Sequence, residues 1–339
     1  MFGHKTPIRN RLGPAAFGES GRWPAITHNP WIPIMIASLA WGSAPAANRA
    51  ILLLGVSPFT IFPLKQVIGA VAIISTLALT RRNLRMDRET LVAGAALGVF
   101  NMTVPTILFT LGFLVIPASI GAVIVAVIPL TTILLTHWVV PGETFKIARL
   151  PGLVLAIGGI AVMGWAPVGQ PSSRWILGTV LMTGGSLSAG LGGALTRRYA
   201  VRHRNAPLIV SQYLTSAVIL CLLSIPFDGY QGYLTIEATG LWLIVYMGAV
   251  PTAISFAAFM WACRITTAAR AALTGYFSPL LGVTLGVVLL SEPVTLQLVV
   301  GMMAVALGIV VSDRPDRQDD RRRAASGGPP AAGKLRDLP

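Results

Sequence analysis

Acidic residues are scarce in this chain of 339 residues: Asp and Glu together number 12, and none lies deep in a long apolar run. A carboxylate proton relay within such runs is therefore unsupported. Charged residues of either sign make up 11%, against roughly 25% in soluble globular chains, too few to clothe a soluble protein of this size. The two cysteines, Cys221 and Cys263, fall inside apolar runs and read as small core hydrophobes rather than a disulfide or metal pair. Catalytic signatures are missing as well. No His-Glu-x-x-His occurs, and Gly184-Gly185-Ser186 is followed by Leu187 where a rhomboid-like serine site needs glycine. No phosphate-binding Walker loop exists, so ATP-driven transport would need a partner. An enzyme is thus disfavoured, and no catalytic residue, metal or cofactor is expected.

What is present is apolar sequence. Hydrophobic residues reach 54% and mean hydropathy is +0.72. The charges sit in short clusters between long apolar runs, as expected of helices that cross a bilayer with about 20 apolar residues each. A membrane barrel would show short alternating segments instead. Ten spans are predicted, at 31–54, 58–80, 89–113, 117–140, 145–165, 175–196, 208–227, 240–263, 267–290 and 296–312. Gly55-Val56-Ser57-Pro58, Pro141-Gly142, Asp228-Gly229 and Glu292-Pro293 separate several of them.

The net charge of +14 fits this arrangement. With the N-terminus in the cytoplasm, the cytoplasmic segments hold Lys5, Arg9, Arg11 and Arg22, then Arg81, Arg82, Arg85 and Arg88. Lys146, Arg149, Arg197, Arg198, Arg202, Arg204, Arg264 and Arg270 follow, then the basic tail. The other side receives Arg49 and Arg174. This asymmetry follows the positive-inside rule and predicts a multi-pass protein of a cell inner membrane with both termini cytoplasmic. Basic residues that flank spans need no nucleic acid, and no aromatic–basic interleaving supports one. Residues 1–30 are polar and basic without an apolar core of their own, so a cytoplasmic tail is expected rather than a cleavable signal. Residues 313–339, with Arg321-Arg322-Arg323 and a Ser-Gly-Gly-Pro-Pro run, are expected to be a disordered cytoplasmic tail.

The chain also repeats itself. Ala118, Ala122 and Pro129 recur 150 positions later as Ala268, Ala272 and Pro279, and Gly98 and Phe109 as Gly248 and Phe259. After one deletion, Glu143, Gly152 and Gly159 recur as Glu292, Gly301 and Gly308. Each half, 31–165 and 175–312, then holds five spans. Five is odd, so the second half enters the membrane from the opposite side. The expected fold is an all-α polytopic membrane protein of ten transmembrane helices arranged as two inverted five-helix repeats. That arrangement recurs in secondary transporters, whose sites lie near the midplane between the halves. Duplication for folding economy alone is the competing reading.

Several motifs resemble a known family. Trp41-Gly42-Ser43 looks like its opening motif, Ser57-Pro58-Phe59-Thr60 with Lys65 like the start of its second span, and Pro129, Glu143, Gly152 and Gly159 with their second-half counterparts like its half-ending. The resemblance is to the EamA-type transporters of the drug/metabolite transporter superfamily, and it covers roughly 31–312. It implies a ten-helix bundle with a central cavity and efflux of amino acids or other metabolites. Two departures bear on substrate: Ala189-Gly190 stands where a second Trp-Gly pair would, and Lys65 replaces the arginine often seen. A lipid flippase or membrane sensor of the same fold is the rival. The expected partners are a small-molecule solute and the lipid bilayer, with a homodimer left open.

Polar groups inside spans are costly and often functional, and they supply the candidate substrate-binding residues. Asn48 shares a helical face with Ser38, Trp41 and Pro45. Trp41 can stack on a solute while Asn48 offers donor and acceptor; an interhelical packing face fits equally. Asn101 lies on a stripe with Gly94, Gly98, Pro105, Leu108 and Gly112, which first suggests close helix packing. Lys65 sits about 10 Å along its helix from Pro58, where it can snorkel to the interface or hold a solute carboxylate or phosphate. Gln212 and Tyr213 occupy the corresponding place in the second half, and Tyr276 precedes the second mid-span proline. Pro129 and Pro279 are read as paired kinks and candidate hinges, since each frees a carbonyl four residues earlier, at Val125 and Gly275; static kinks are the alternative. Glu143 and Glu292 are read as carboxylates at helix starts, stabilising the positive end of a helix dipole.

Overall fold

The structure is a computed structural model that describes residues 29–79, 84–140, 150–165, 172–199, 203, 205–227, 231–265 and 273–312. Within these residues the chain is helical and no strand forms. The first half holds α1 (Trp31–Leu53), α2 (Pro58–Leu79), α3 (Arg88–Phe113), α4 (Ala118–Val139) and α5 (Leu150–Gly164). The second holds α6 (Ser172–Tyr199), α7 (Asn205–Ser224), α8 (238–265), α9 (Thr274–Leu290) and α10 (Leu296–Ser312). Glu143, Lys146 and both tails lie outside the described residues.

The helices start and stop where local chemistry dictates. Gly55, at φ +79°, turns the chain between α1 and α2, and Pro58 opens α2 because a first-turn residue needs no donor. Asp87 caps α3, its carboxylate accepting from Thr90 N at 2.8 Å, which satisfies one of the orphan donors of the first turn. Six helices, α2, α3, α4, α6, α7 and α8, are long and apolar enough to cross a membrane. The described parts of α5, α9 and α10 are shorter but apolar. Large apolar side chains face outward, with Leu79 85% and Trp242 73% exposed. Such breadth of exposed apolar surface suits lipid rather than water.

Packing follows the repeat. α1 lies against α9 and α6 against α4; α1 meets α8 and α6 meets α3; α2 packs on α8 and α7 on α3. Each pair becomes the other when every helix is exchanged for its counterpart five places on. Three pairs, α2 with α7, α4 with α9 and α5 with α10, map onto themselves. The α5–α10 seam shows this at atomic detail. A Cβ at Gly159 would lie 2.7 Å from the Gly301 carbonyl oxygen, and one at Gly308 2.5 Å from that of Gly152. The seam therefore pairs Gly152 with Gly308 and Gly159 with Gly301, so α5 and α10 run antiparallel. Because these helices are repeat counterparts, the halves are inverted relative to each other. Small residues let the backbones touch, which replaces the hydrophobic driving force that lipid cannot supply. One apolar core spans both halves, with Ile51, Ile61, Phe113, Ile124, Met163, Met182 and Ile244 among its members.

Both α3 and α8 contain a π-helical stretch, Gly98–Thr103 and Ala249–Ile254. These are near-equivalent positions under the 150-residue repeat, and the sequence reading missed them. A proline lies in or just after each, Pro105 and Pro251. Where a proline removes an N–H, a helix carbonyl loses its partner. Ser188 of α6 fills that place in α3, donating to the Phe100 carbonyl at 2.8 Å.

Candidate functional site

The polar residues of the membrane-embedded region fall into three groups. The first lies toward the C-terminal end of α1. Asn48 is 3% exposed, and its Nδ2 donates to Thr110 Oγ1 of α3 at 3.1 Å. Its Oδ1 is buried with no partner. Ser38 and Pro45 of the same face are buried too, so this face packs against protein. Trp41 is half-buried and tilts against Phe259 of α8, ring centroids 5.3 Å apart. Two residues on from Trp41, Ser43 Oγ accepts the hydroxyl proton of Tyr246 of α8 at 2.7 Å and donates onward to the Ala40 carbonyl.

The second group is on α2 and its counterpart α7. Lys65 is half-buried and meets no carboxylate among the described residues. Gln66 beside it is 4% exposed, and its Nε2 has no hydrogen-bond partner. On α7, Gln212 Oε1 accepts from Asn101 Nδ2 at 3.3 Å, which joins two candidates from opposite halves. Asn101 belongs to the first π stretch, and the backbone there passes so close to α6 that a Cβ at Gly192 would lie 2.6 Å from the Asn101 Cα. Tyr213 packs with Ala70 and Ile73 of α2 and Ala253 of α8. Thr103 Oγ1 meets Ser216 Oγ at 3.0 Å, a further polar tie between α3 and α7 that the sequence did not flag.

The third group is at the ends of the helices. The expected pair of proline kinks is unequal. Before Pro129, residues 126 and 127 form a turn that divides α4 into Ala118–Val125 and Ile128–Val139. Pro129 thus opens a second helical segment. Pro279 instead lies within the continuous α9. At the α4 break, Ser186 Oγ of α6 donates to the Ile124 carbonyl at 3.2 Å, one residue before the Val125 carbonyl that a regular helix would free. The side chain of Tyr276 lies outside the described part. Glu292 stabilises a helix start, but of α4 in the other half rather than its own α10. Its carboxylate oxygens accept from Ala118 N at 2.6 Å and Ser119 N at 2.8 Å.

The arrangement holds no group of three or more His, Cys, Asp or Glu able to bind a metal among the described residues. Its buried polar side-chain atoms without a partner among the described residues are Asn48 Oδ1, Gln66 Nε2 and Thr274 Oγ1.

Comparison with known proteins agrees with the repeat. A family model described as the EamA-like transporter family matches residues 31–165 and again 176–312. A relative named "Probable terminal-alkyne amino-acid exporter" from Streptantibioticus cattleyicolor is 26% identical over 295 residues, 86% of this chain and 95% of that one. "Uncharacterized transporter YoaV" of Bacillus subtilis is 21% identical, over 82% of this chain and 94% of its own. A solved crystal structure superposes with a TM-score of 0.58 at 19% identity, over 86% of this chain and 98% of that one; at that identity it speaks for the fold alone.

Proposed function

The chain belongs to the EamA-like transporter family and is a multi-pass membrane protein, and from that premise we propose that it is a secondary exporter of a small zwitterionic or anionic metabolite, amino acids foremost. All ten helices cross an inner membrane in this reading, with both termini cytoplasmic. The inverted halves rock about the polar groups on α1, α2, α3 and α7, and no chemical step is involved.

The observation that carries the reading is Lys65. A cation half-buried among apolar helices, with no carboxylate among the described residues, has an unmet need for negative charge. Gln66 Nε2 and Asn48 Oδ1 leave a donor and an acceptor unspent. A solute whose carboxylate accepts from Lys65 and Gln66 Nε2, and whose ammonium or hydroxyl donates to Asn48 Oδ1, meets all three. In this reading Trp41 and Tyr276 grip the apolar part of the solute from the two halves. The relative that carries the name of an amino-acid exporter supports the same solute class.

Two experiments test this. Reporter fusions after Arg85 and Arg202 should read cytoplasmic and one after Gly169 periplasmic; a cytoplasmic signal at Gly169 overturns the ten-span topology. Purified protein in liposomes should move at least one amino acid from a broad panel. Flux of labelled lipid without flux of any solute would replace the exporter with a lipid flippase.

A further inference from the structure

We propose that Glu292 is an inter-half latch: its carboxylate ties the end of α9 to the start of α4, holds that end of the bundle shut, and must release each time that end opens. The inference takes its meaning from the transport reading, but its geometry involves no solute.

The contact joins residues far apart in sequence and in different halves. Two backbone N–H groups of the α4 first turn, at Ala118 and Ser119, donate to the two carboxylate oxygens at 2.6 and 2.8 Å. Charge-assisted bonds of this length are among the stronger ones proteins make, and the positive end of α4 adds to them. Around this contact the chain is shaped to deliver the carboxylate. Ser291, at φ +53°, is the one non-glycine residue in the left-handed region among the described residues, a conformation held only where its surroundings impose it. It folds the chain back so that Glu292 N faces the Gly286 carbonyl at 3.4 Å. Gly286 supplies the space: a Cβ there would lie 2.8 Å from Glu292 Oε2 and 2.9 Å from Ser119 N.

Among the described residues, the first half carries a larger side chain at the place that matches Gly286. The position 150 residues before Gly286 is Thr136, whose hydroxyl is bonded to the Thr132 carbonyl at 2.6 Å. A cation of the first half stands beside the latch. Arg49, near the end of α1, donates to the Phe113 carbonyl at the end of α3 and lies close enough to Glu292 to feel its charge. One carboxylate thus joins the end of α9 to the start of α4, and Arg49 ties the ends of α1 and α3 beside it. Immediately below it α9 and α4 touch, where a Cβ at Gly282 would lie 2.8 Å from that of Ala122. Halves that rock apart at this end have to part at that seam, and the carboxylate is the polar bond across it.

The test uses the full chain in proteoliposomes with both native cysteines changed to alanine and a reporter, Val123→Cys. Val123 is 2% exposed and lies one turn below Ser119 on α4. A membrane-impermeant maleimide is added separately to each side. Glu292→Gln keeps the size but removes the charge, and Gly286→Ala keeps the charge but pushes the carboxylate away. Each should raise labelling from the Arg49 side by roughly 10-fold, the factor expected for a lost charge-assisted hydrogen bond, with no rise from the other side. Wild-type labelling rates in both folded variants overturn the latch. So does a rise from both sides, which marks general loosening. Should Glu292→Gln fail to fold, Gly286→Ala decides, since it retains the charged carboxylate. Sided labelling without flux of any solute in the wild type upholds the latch and removes the transport reading.

Discussion

On α2 the first half carries Lys65 and Gln66; at the corresponding place on α7 the second half carries Gln212 and Tyr213. The glycines behave differently. Gly42 of α1 and Gly190 of α6 correspond, and each presses on the counterpart of the other's neighbour: a Cβ at Gly42 would sit 2.9 Å from Leu281 Cβ, and one at Gly190 2.7 Å from Thr131 Cβ. Leu281 and Thr131 are 150 residues apart, the spacing of the repeat. Small residues are thus kept in both halves where backbones must approach, while the polar residues at this place differ between the halves, and only the first carries a charge there. The scaffold needs symmetry because each interface is used twice. Recognition does not, because a single asymmetric solute meets both halves at once.

The sharpest way to break that contrast is at the α5–α10 seam. Gly159→Leu and Gly308→Leu are equivalent lesions, each driving a side chain into the facing backbone. Overpacking of this kind costs roughly 1–3 kcal/mol and sometimes more, so both variants should lose several degrees of melting temperature in detergent, by similar amounts. A large loss for one and none for the other shows that the seam is not symmetric in energy, whatever its geometry.

The next comparison sets Lys65→Met against Gln212→Met. The first should lower flux of anionic and zwitterionic solutes by about 10-fold or more, the worth of a lost charge-assisted hydrogen bond at roughly 1.5–3 kcal/mol, and spare cationic ones. The second removes a neutral acceptor already engaged by Asn101 and should have the smaller effect on flux and no charge selectivity. Initial rates across a charge-sorted panel, corrected for protein amount, check both. Equal effects would place the charge requirement elsewhere.

Gln66 separates recognition from stability more finely. A buried polar atom left unpaired costs the folded state about 1–3 kcal/mol, so Gln66 does not serve packing. Gln66→Met, of similar volume, should hold or raise the melting temperature while lowering flux several-fold. A fall in both would mean that Nε2 is satisfied in the membrane and that Gln66 belongs to the scaffold.

How much of this was legible in the sequence depends on the range of the physics involved. The helices could be placed to within a few residues because apolar runs and breakers are local. Gly152 and Gly159 were legible as marks of the duplication, but not as the α5–α10 seam, because their facing helix lies in the other half. The π stretches were not legible. Their prolines signal a freed carbonyl, but whether the helix widens depends on a donor such as Ser188, about 90 residues away in the chain. Glu292 was assigned to a helix start correctly, yet its helix lies in the other half, and nothing local could say so. The unequal setting of Pro129 and Pro279 escaped for the same reason, because the helices on either side decide whether a proline bends a helix or divides it.

The smallest expected effect tests the contrast at the helix starts. Asp87 before α3 and Glu237 before α8 are 150 residues apart, and both backbones are extended there. Asp87 reaches Thr90 N, whereas Glu237 makes no side-chain cap, one methylene longer than the residues that favour this position. The hydroxyl and backbone N–H of Thr90 hold the Asp87 carboxyl below the ordinary aspartate range. A lowered folded value means that the cap stabilises the protein in full above the unfolded value of about 3.9 and that this contribution fades as pH falls through the lowered one. Asp87→Ala should therefore lower the melting temperature slightly at neutral pH, and Glu237→Ala should leave it unchanged. Asp87→Asn, an equally good cap with no proton to gain, should match the wild type at neutral pH and lose less stability on acidification. Melting curves from pH 7 down to pH 3 in detergent would show it, and an identical acid slope for wild type and Asp87→Asn would assign the acid sensitivity to other carboxylates.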